Sequence, residues 1–305
     1  MIDNISVIST FSLKLNRLNL LARAFRLMCF CENNEIELHI AHGSKNCLEG
    51  FLLRLLSIGK TFVKIDRDES CNEVINNGRL RNIAVQSTEA EFILLSDIDL
   101  LFDRNTLEYC QEYLNKDKVC MLPCVYLSRQ SRTIEKLNVH ETSELLASCK
   151  FKRDFVNHIA VPSSFILCRR DDYLAIGGFD EKYSGHGYED FDFEIRLFRH
   201  LRLLKINKEM LIDEPYASAV RLKGFRAALG LYCLPHIENK RFVLHQWHKK
   251  SNSYKEERSK NEVIFAKKFN YMTRIESKGK SIEESYHREI SSSRVVREVL
   301  EYYGK

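Results

Sequence analysis

The sequence predicts an α/β protein with a largely parallel sheet, followed by a helical C-terminal segment. Three observations predict it. Over the first two-thirds of the 305 residues, short apolar runs alternate with amphipathic stretches at the spacing of strand–helix units. The most apolar run, Glu91-Phe92-Ile93-Leu94-Leu95, reads as a central strand. From Ser251 the chain has no proline and becomes charged and periodic.

Taken in order, Ile5-Ser6-Val7-Ile8-Ser9 reads as the first strand and about Leu15 to Phe30 as the first helix. Ile36-Glu37-Leu38-His39-Ile40 is the second strand, and Cys47 to Ile58 a helix closed by Gly59. Phe62-Val63-Lys64-Ile65 is the third strand, Asn72 to Gln86 the third helix, and Glu91–Leu95 the fourth strand. In such a sheet the ligand lies beyond the carboxyl ends of the strands. After Leu127 the pattern loosens. A polar segment near 128–150 is expected to be helical, and Ser164 to Cys168 a strand. Asp190 to Leu201 is a helix, with Phe191, Ile195 and Phe198 on one face and Asp192 four residues before Arg196. Arg241 to Leu244 is a short strand.

Composition narrows the class. An apolar fraction of 44%, with 18 Phe, 13 Tyr and 1 Trp, excludes disorder for most of the chain. No run of 18 apolar residues exists, so no membrane-spanning helix is expected. The first residues, Met1-Ile2-Asp3-Asn4, do not read as a secretory signal. The formal charge of +5 falls wholly in residues 249–305, which hold 14 Lys/Arg and 9 Asp/Glu. A neutral body argues against a nucleic-acid enzyme with a basic cleft. The basic tail reads first as a solvated helical segment and second as one drawn to an anionic membrane or partner. No Cys-x-x-Cys pair occurs among the ten cysteines, most of which sit in apolar runs. That pattern predicts buried free thiols, no structural zinc, and a cytoplasmic setting.

Three motifs carry chemistry. Ser96-Asp97-Ile98-Asp99 follows the most apolar strand, where two carboxylates need a cation or donors. Hard divalent ions take such oxygen ligands and share them with phosphates; a helix cap using one Asp is the plain alternative. The second runs from Gly177-Gly178-Phe179-Asp180 to Gly185-His186-Gly187-Tyr188-Glu189-Asp190. Its glycines imply a close-approach loop, and its adjacent carboxylates open a helix, whose dipole is expected to keep them ionised. A carboxylate there suits a general base for a hydroxyl; a capped helix with a flexible entry is the alternative. The third is His245-Gln246-Trp247-His248, whose imidazoles reach one metal if the strand ends in a turn. With Asp99 they make an oxygen and nitrogen set suited to manganese.

On these motifs the sequence resembles the GT-A-fold glycosyltransferases, in particular the galactosyltransferase and chondroitin-polymerase-like group. Ile5–Thr10 and Ile36 to Ser44 look like the family's first two strands, and Leu94 to Asp99 like its Asp-x-Asp strand end. The resemblance spans about residues 4–250. It implies that Asp99, His245 and His248 hold Mn2+ or Mg2+, and that Asp97 touches the nucleotide or ribose. It implies Asp190 as the base, with Glu189, Gly177, Gly178, His186 and Gly187 around the donor sugar and acceptor. Thr10, Asp66 and Arg81 fall where the family meets its nucleotide. Two departures stand out. Ala41-His42-Gly43-Ser44 replaces the common Asp-Asp-Gly-Ser, and His186 stands where galactosyltransferases carry Trp.

The resemblance implies an inverting, metal-dependent transfer of a sugar such as Gal or GalNAc from a UDP sugar. The acceptor would be a saccharide or lipid-linked saccharide of a surface glycan such as capsule or lipopolysaccharide. A transferase of other stereochemistry or nucleotide, and a catalytically silent sugar-binding module, are the rival readings. The expected organisation is a GT-A domain over 1–250, with a nucleotide half (1–127) and an acceptor half (128–250). Residues 251–305 are expected as a helical appendage whose removal leaves a soluble, nucleotide-binding protein.

Overall fold

The computed structural model describes residues 4–12, 17–43, 47–70, 75–133, 137–214, 218–248, 254–275 and 282–304. In chain order the strands are β1 (Ile5–Phe11), β2 (Glu37–His42), β3 (Val63–Arg67), β4 (Phe92–Leu95), β5 (Leu100–Leu101), β6 (Cys120–Met121), β7 (Cys124–Leu127), β8 (Val156–Ala160), β9 (Ile166–Arg169) and β10 (Val243–His245). The helices are α1 (Arg17–Asn33), α2 (Cys47–Ser57), α3 (Asn77–Gln86), α4 (Arg104–Leu114), α5 (Val139–Ala147), α6 (Arg170–Ala175), α7 (Glu189–His200), α8 (Gly224–Gly230), α9 (Leu234–Glu238), α10 (Tyr254–Ile275), α11 (Ile282–Ser292) and α12 (Arg294–Tyr303).

Two compact units share these elements. The first comprises Met1–Asp99, Leu167–His200 and Lys249–Phe265. Its strands run in the order β3-β2-β1-β4-β9. Pairings of β1 with β2 and β4, and of β2 with β3, are all parallel. As the apolar run predicts, β4 is interior to this order and all four of its residues are buried. Val7, Leu38 and Leu94 stand abreast on three strands with no exposure, which places the core on the sheet.

Helix starts follow local chemistry. Asn76 caps α3 by accepting from the Arg79 amide at 2.8 Å. That cap places the described start of α3 at Asn77; the expected start at Asn72, like Leu15 of the first helix and Ser44, lies outside the described residues. Helix α7 has Glu189, Asp190 and Asp192 in its first turn and Arg199 and His200 in its last, which complements the helix dipole. The expected Asp192–Arg196 pair forms at 2.8 Å.

The second unit comprises Leu100–Ile166, Leu201–His248 and Ala266–Lys305. Its sheet has the order β5-β10-β7-β8. Register places His245 beside Tyr126, and Tyr126 beside His158. The polar stretch near 128–150 divides into a 3-10 turn (Arg129–Thr133) and α5, because Asn138 caps a new helix by accepting from Glu141 N.

The described residues after 250 are helical, as the sequence predicts, but they are packed into both units and do not stand apart as an appendage. In the first unit, Asn261 of α10 is buried. In the second, Tyr286 donates to the Ala219 carbonyl at 2.6 Å and Tyr303 to that of Phe151 at 2.9 Å, with both rings fully buried. Charge patterning showed the solvated face of these helices and hid their buried stripe.

Candidate active site

The first group lies within the first unit. Helix α3 presents Arg81, whose side chain is only 4% exposed. Its guanidinium donates to Asp190 at 2.5 Å and to Asp97 at 2.9 Å. It also sits 4.9 Å from the Phe179 ring centroid, and Phe179 stacks on Phe193 at 4.3 Å. A buried cation between two carboxylates is tolerable because both are charge partners with hydrogen-bond geometry. These partners hold the Arg81 pKa above its ordinary value against the effect of burial. Arg81 thus fastens the Asp-x-Asp segment to the start of α7, joining two motifs that are far apart in sequence.

Glu189 and Asp190 differ sharply. The Asp190 side chain is 30% exposed, whereas Glu189 is 4% exposed and its Oε2 is buried without a hydrogen-bond partner. Burial, reinforced by the Asp190 charge and opposed by Arg81, pushes the Glu189 carboxyl up to about 8. The expectation that the helix dipole keeps both carboxylates ionised therefore fails at Glu189, where desolvation wins.

A stability prediction follows from the raised value. Glu189 binds its proton more tightly folded than unfolded, so its contribution is full below about pH 4.5 and is lost as pH rises through about 8. Glu189→Gln is neutral throughout and lacks this slope. Between about pH 5 and about pH 8 the wild-type melting midpoint is expected to fall relative to that of the variant. Parallel curves in differential scanning calorimetry would assign the proton elsewhere.

The glycine loop before α7 is built for close packing. Gly178 has φ +64°, and a Cβ there would stand 2.4 Å from Asn82 Oδ1. Asn82 in turn receives the Phe179 amide at 2.8 Å and donates to its carbonyl at 3.0 Å. Gly177 and Gly178 thus shape a turn, with the second held against α3. Gly185 and Gly187 also have positive φ, and so does Tyr188 at +70°, a costly conformation for an aromatic residue. The constraint comes from α10: Asn261 Nδ2 donates to the carbonyls of Ser184 at 3.0 Å and Gly187 at 2.8 Å. Arg258 covers the Tyr188 ring at 4.7 Å. His186 is exposed between the two glycines.

The second group is the histidine segment. Tyr126 stacks on His158 at 4.4 Å and on His245 at 4.2 Å, which fixes the plane of the His245 imidazole. His248 lies 5.2 Å from His245 between ring centroids. Trp247 has Arg129 and Arg132 at 5.8 and 5.6 Å from its ring. Asp99 is joined by its peptide bond to Leu100, which pairs with His245, so chain continuity brings the carboxylate to this segment. One ligand atom each from Asp99, His245 and His248 lies within 4.8 Å of the others. One oxygen and two nitrogens at that spacing fit a borderline divalent ion. Arg23, missed in the sequence, pairs with Asp99 at 3.4 Å.

The remaining predicted residues sit near strand ends. Thr10 donates to Asn77 at 3.4 Å, at the end of β1. Asp66, near the end of β3, pairs with buried His39 at 2.7 Å. His42, at the position of an expected aspartate, is buried; desolvation, then Arg67 and Arg54, lower its pKa and keep it neutral. Besides Arg23, sequence reasoning missed Asn82, Tyr126, His158 and Asn261. None of these belongs to a local motif, and only tertiary pairing reveals them.

A parallel sheet carrying an Asp-x-Asp strand end and a carboxylate-bearing helix after a glycine loop defines a glycosyltransferase of GT-A fold. Residues 26–271 match glycosyltransferase like family 2, and the chain belongs to that family. Among solved structures it is similar to Staphylococcus aureus TarS 1–349 in complex with UDP-GlcNAc, at 12% identity and a TM-score of 0.50, covering 95% of this chain and 74% of that one. Against another structure of TarS 1–349, at 13% identity and a TM-score of 0.42, the match covers 64% of this chain and 55% of that one, about half its length. GalNAc-T7 with UDP, GalNAc and Mn2+ matches at 12% identity and a TM-score of 0.49, covering 95% and 54%. No curated protein sequence matches the chain.

Proposed function

We propose that the protein is an inverting glycosyltransferase that moves a hexosyl group from a UDP sugar to a hydroxyl of a saccharide or lipid-linked saccharide. The observation that carries this reading is the Asp97–Arg81–Asp190 bridge, which ties the donor-side carboxylate to the acceptor-side one. Family membership and the resemblance of fold to TarS with UDP-GlcNAc support the donor class.

Asp190 is the more accessible of the two α7 carboxylates and takes the proton of the acceptor hydroxyl. The resulting oxygen nucleophile attacks the anomeric carbon from the face opposite the nucleotide, and the C–O bond to UDP breaks. Arg81 holds Asp97 and Asp190 in fixed register, so the reacting groups need little reorganisation. Neutral Glu189 beside them keeps a third negative charge out of the site. A manganese or magnesium ion held by Asp99, His245 and His248 would neutralise the leaving diphosphate.

Release of UDP from a panel of UDP sugars, with and without manganese, tests the reading. Metal-dependent release is expected for at least one sugar, accelerated by the right acceptor. A protein that binds UDP sugars but never releases UDP would be a binding module. His248→Ala is expected to weaken manganese affinity at least about tenfold while the melting profile stays cooperative. An unchanged metal requirement removes His248 from the ligand set.

A further inference from the structure

Helix α2 and the residue after it carry an apolar face that is exposed among the described residues. Leu48, Phe51, Leu55 and Ile58 recur at helical spacing and are 52–73% exposed, and Phe25 of α1 adds a fifth side chain at 45%. The opposite face is conventional core, with Leu53 fully buried and Gly50 against the His42 ring. Eleven large apolar side chains are counted as exposed among the described residues, and five of them gather here. A monomer surface rarely concentrates apolar groups in this way without an interaction to serve.

Charge identifies the partner. Arg54 is exposed between Phe51 and Leu55, and Lys60 follows the helix, 5.2 Å from the Phe25 ring. Only two acidic residues lie on α1 and α2, and both are engaged. Glu49 is buried, and Glu32 accepts the Thr61 and Phe62 amides at 2.9 Å each. An apolar stripe bordered by cations is what an anionic lipid surface recognises. At eleven residues, or about 16 Å, α2 is too short to cross a bilayer and can only lie along it. A symmetric contact with a second copy would instead press Arg54 and Lys60 against their equivalents, with no free carboxylate on either helix.

We infer that the exposed face of α2, with Phe25, docks this protein onto an anionic membrane surface. Docking of this face does not depend on the transfer reaction, so vesicle binding and UDP release succeed or fail separately. It also places membrane contact on α2 rather than on the basic tail.

The test is co-sedimentation of the full chain with vesicles of phosphatidylcholine alone and of phosphatidylcholine with roughly one-third phosphatidylglycerol. Binding is expected to the second, with a decline as salt rises. Phe51→Glu with Leu55→Glu should lower partitioning at least about tenfold, and Arg54→Glu with Lys60→Glu should lower it by a similar factor on anionic vesicles only. Phe51, Arg54 and Leu55 are exposed and Lys60 is half-buried beyond the helix end, so the melting profile should match wild type and exclude misfolding as the cause. Absence of binding to anionic vesicles, or undiminished binding by the first variant, overturns the inference. A dimer in sedimentation equilibrium that Phe51→Glu dissociates, without vesicle binding, gives the face to a second copy.

Discussion

Asp190→Asn is expected to lower turnover with acceptor by about 10²–10⁴-fold while donor affinity persists. The substitution keeps side-chain shape and leaves the amide oxygen able to accept from Arg81, so the 2.5 Å contact is weakened but not abolished. Asp97 still partners the buried guanidinium, which limits the structural damage. Initial rates with acceptor, beside calorimetric affinity for a UDP sugar, separate chemistry from binding. Glu189→Gln serves as the contrast, because its carboxyl is buried and already neutral near pH 7. It should lose far less than Asp190→Asn when donor hydrolysis is measured. Near-normal turnover in Asp190→Asn, with a large loss in Glu189→Gln, would exchange the two roles.

Ending the chain after residue 253 is expected to abolish cooperative folding. The charge shift near residue 250 instead predicts a boundary there and a harmless truncation. The deleted helices carry Phe265, Phe269, Tyr286, Val299, Leu300 and Tyr303, all buried. At about 1.5–3 kcal/mol for each buried side chain, their loss matches or exceeds the roughly 5–15 kcal/mol that stabilises a domain. Limited proteolysis and calorimetry of the truncated chain check this; a soluble product with a sharp melting transition would restore the boundary. Asn261→Ala is the finer probe. It leaves the Ser184 and Gly187 carbonyls without their donor, at about 1–3 kcal/mol, and loosens the loop that leads into Glu189 and Asp190. Turnover is expected to fall more than donor affinity.

The strands of the first unit were legible because each is a short apolar run bounded by turn residues, and their parallel pairing follows from the intervening helices. Asp97, Asp99, Glu189 and Asp190 were legible because a carboxylate at a strand end or a glycine loop has few structural reasons to be there. Other features were not. The resemblance puts Arg81 beside the nucleotide, and only its burial and ion pairs show that it bridges two motifs 93 residues apart. The difference between Glu189 and Asp190 depends on which side of α7 faces the interior, which adjacent identical charges cannot reveal. Tyr126 and His158 meet His245 through strand register, a long-range property without a local signature. Asn261 is hidden in a stretch whose charge suggests solvent, because the buried stripe of α10 is narrow.

Trp247 is the chain's single tryptophan, and it lies one residue before His248 with two guanidinium groups near its ring. Selective excitation of that indole therefore reports on one place only. Indole emission responds to the charge and polarity around the ring, so rearrangement of the segment as an ion is taken up would change it. The protein thus carries a built-in optical probe of its candidate metal segment, usable in unlabelled wild-type material and in every variant that spares this ring.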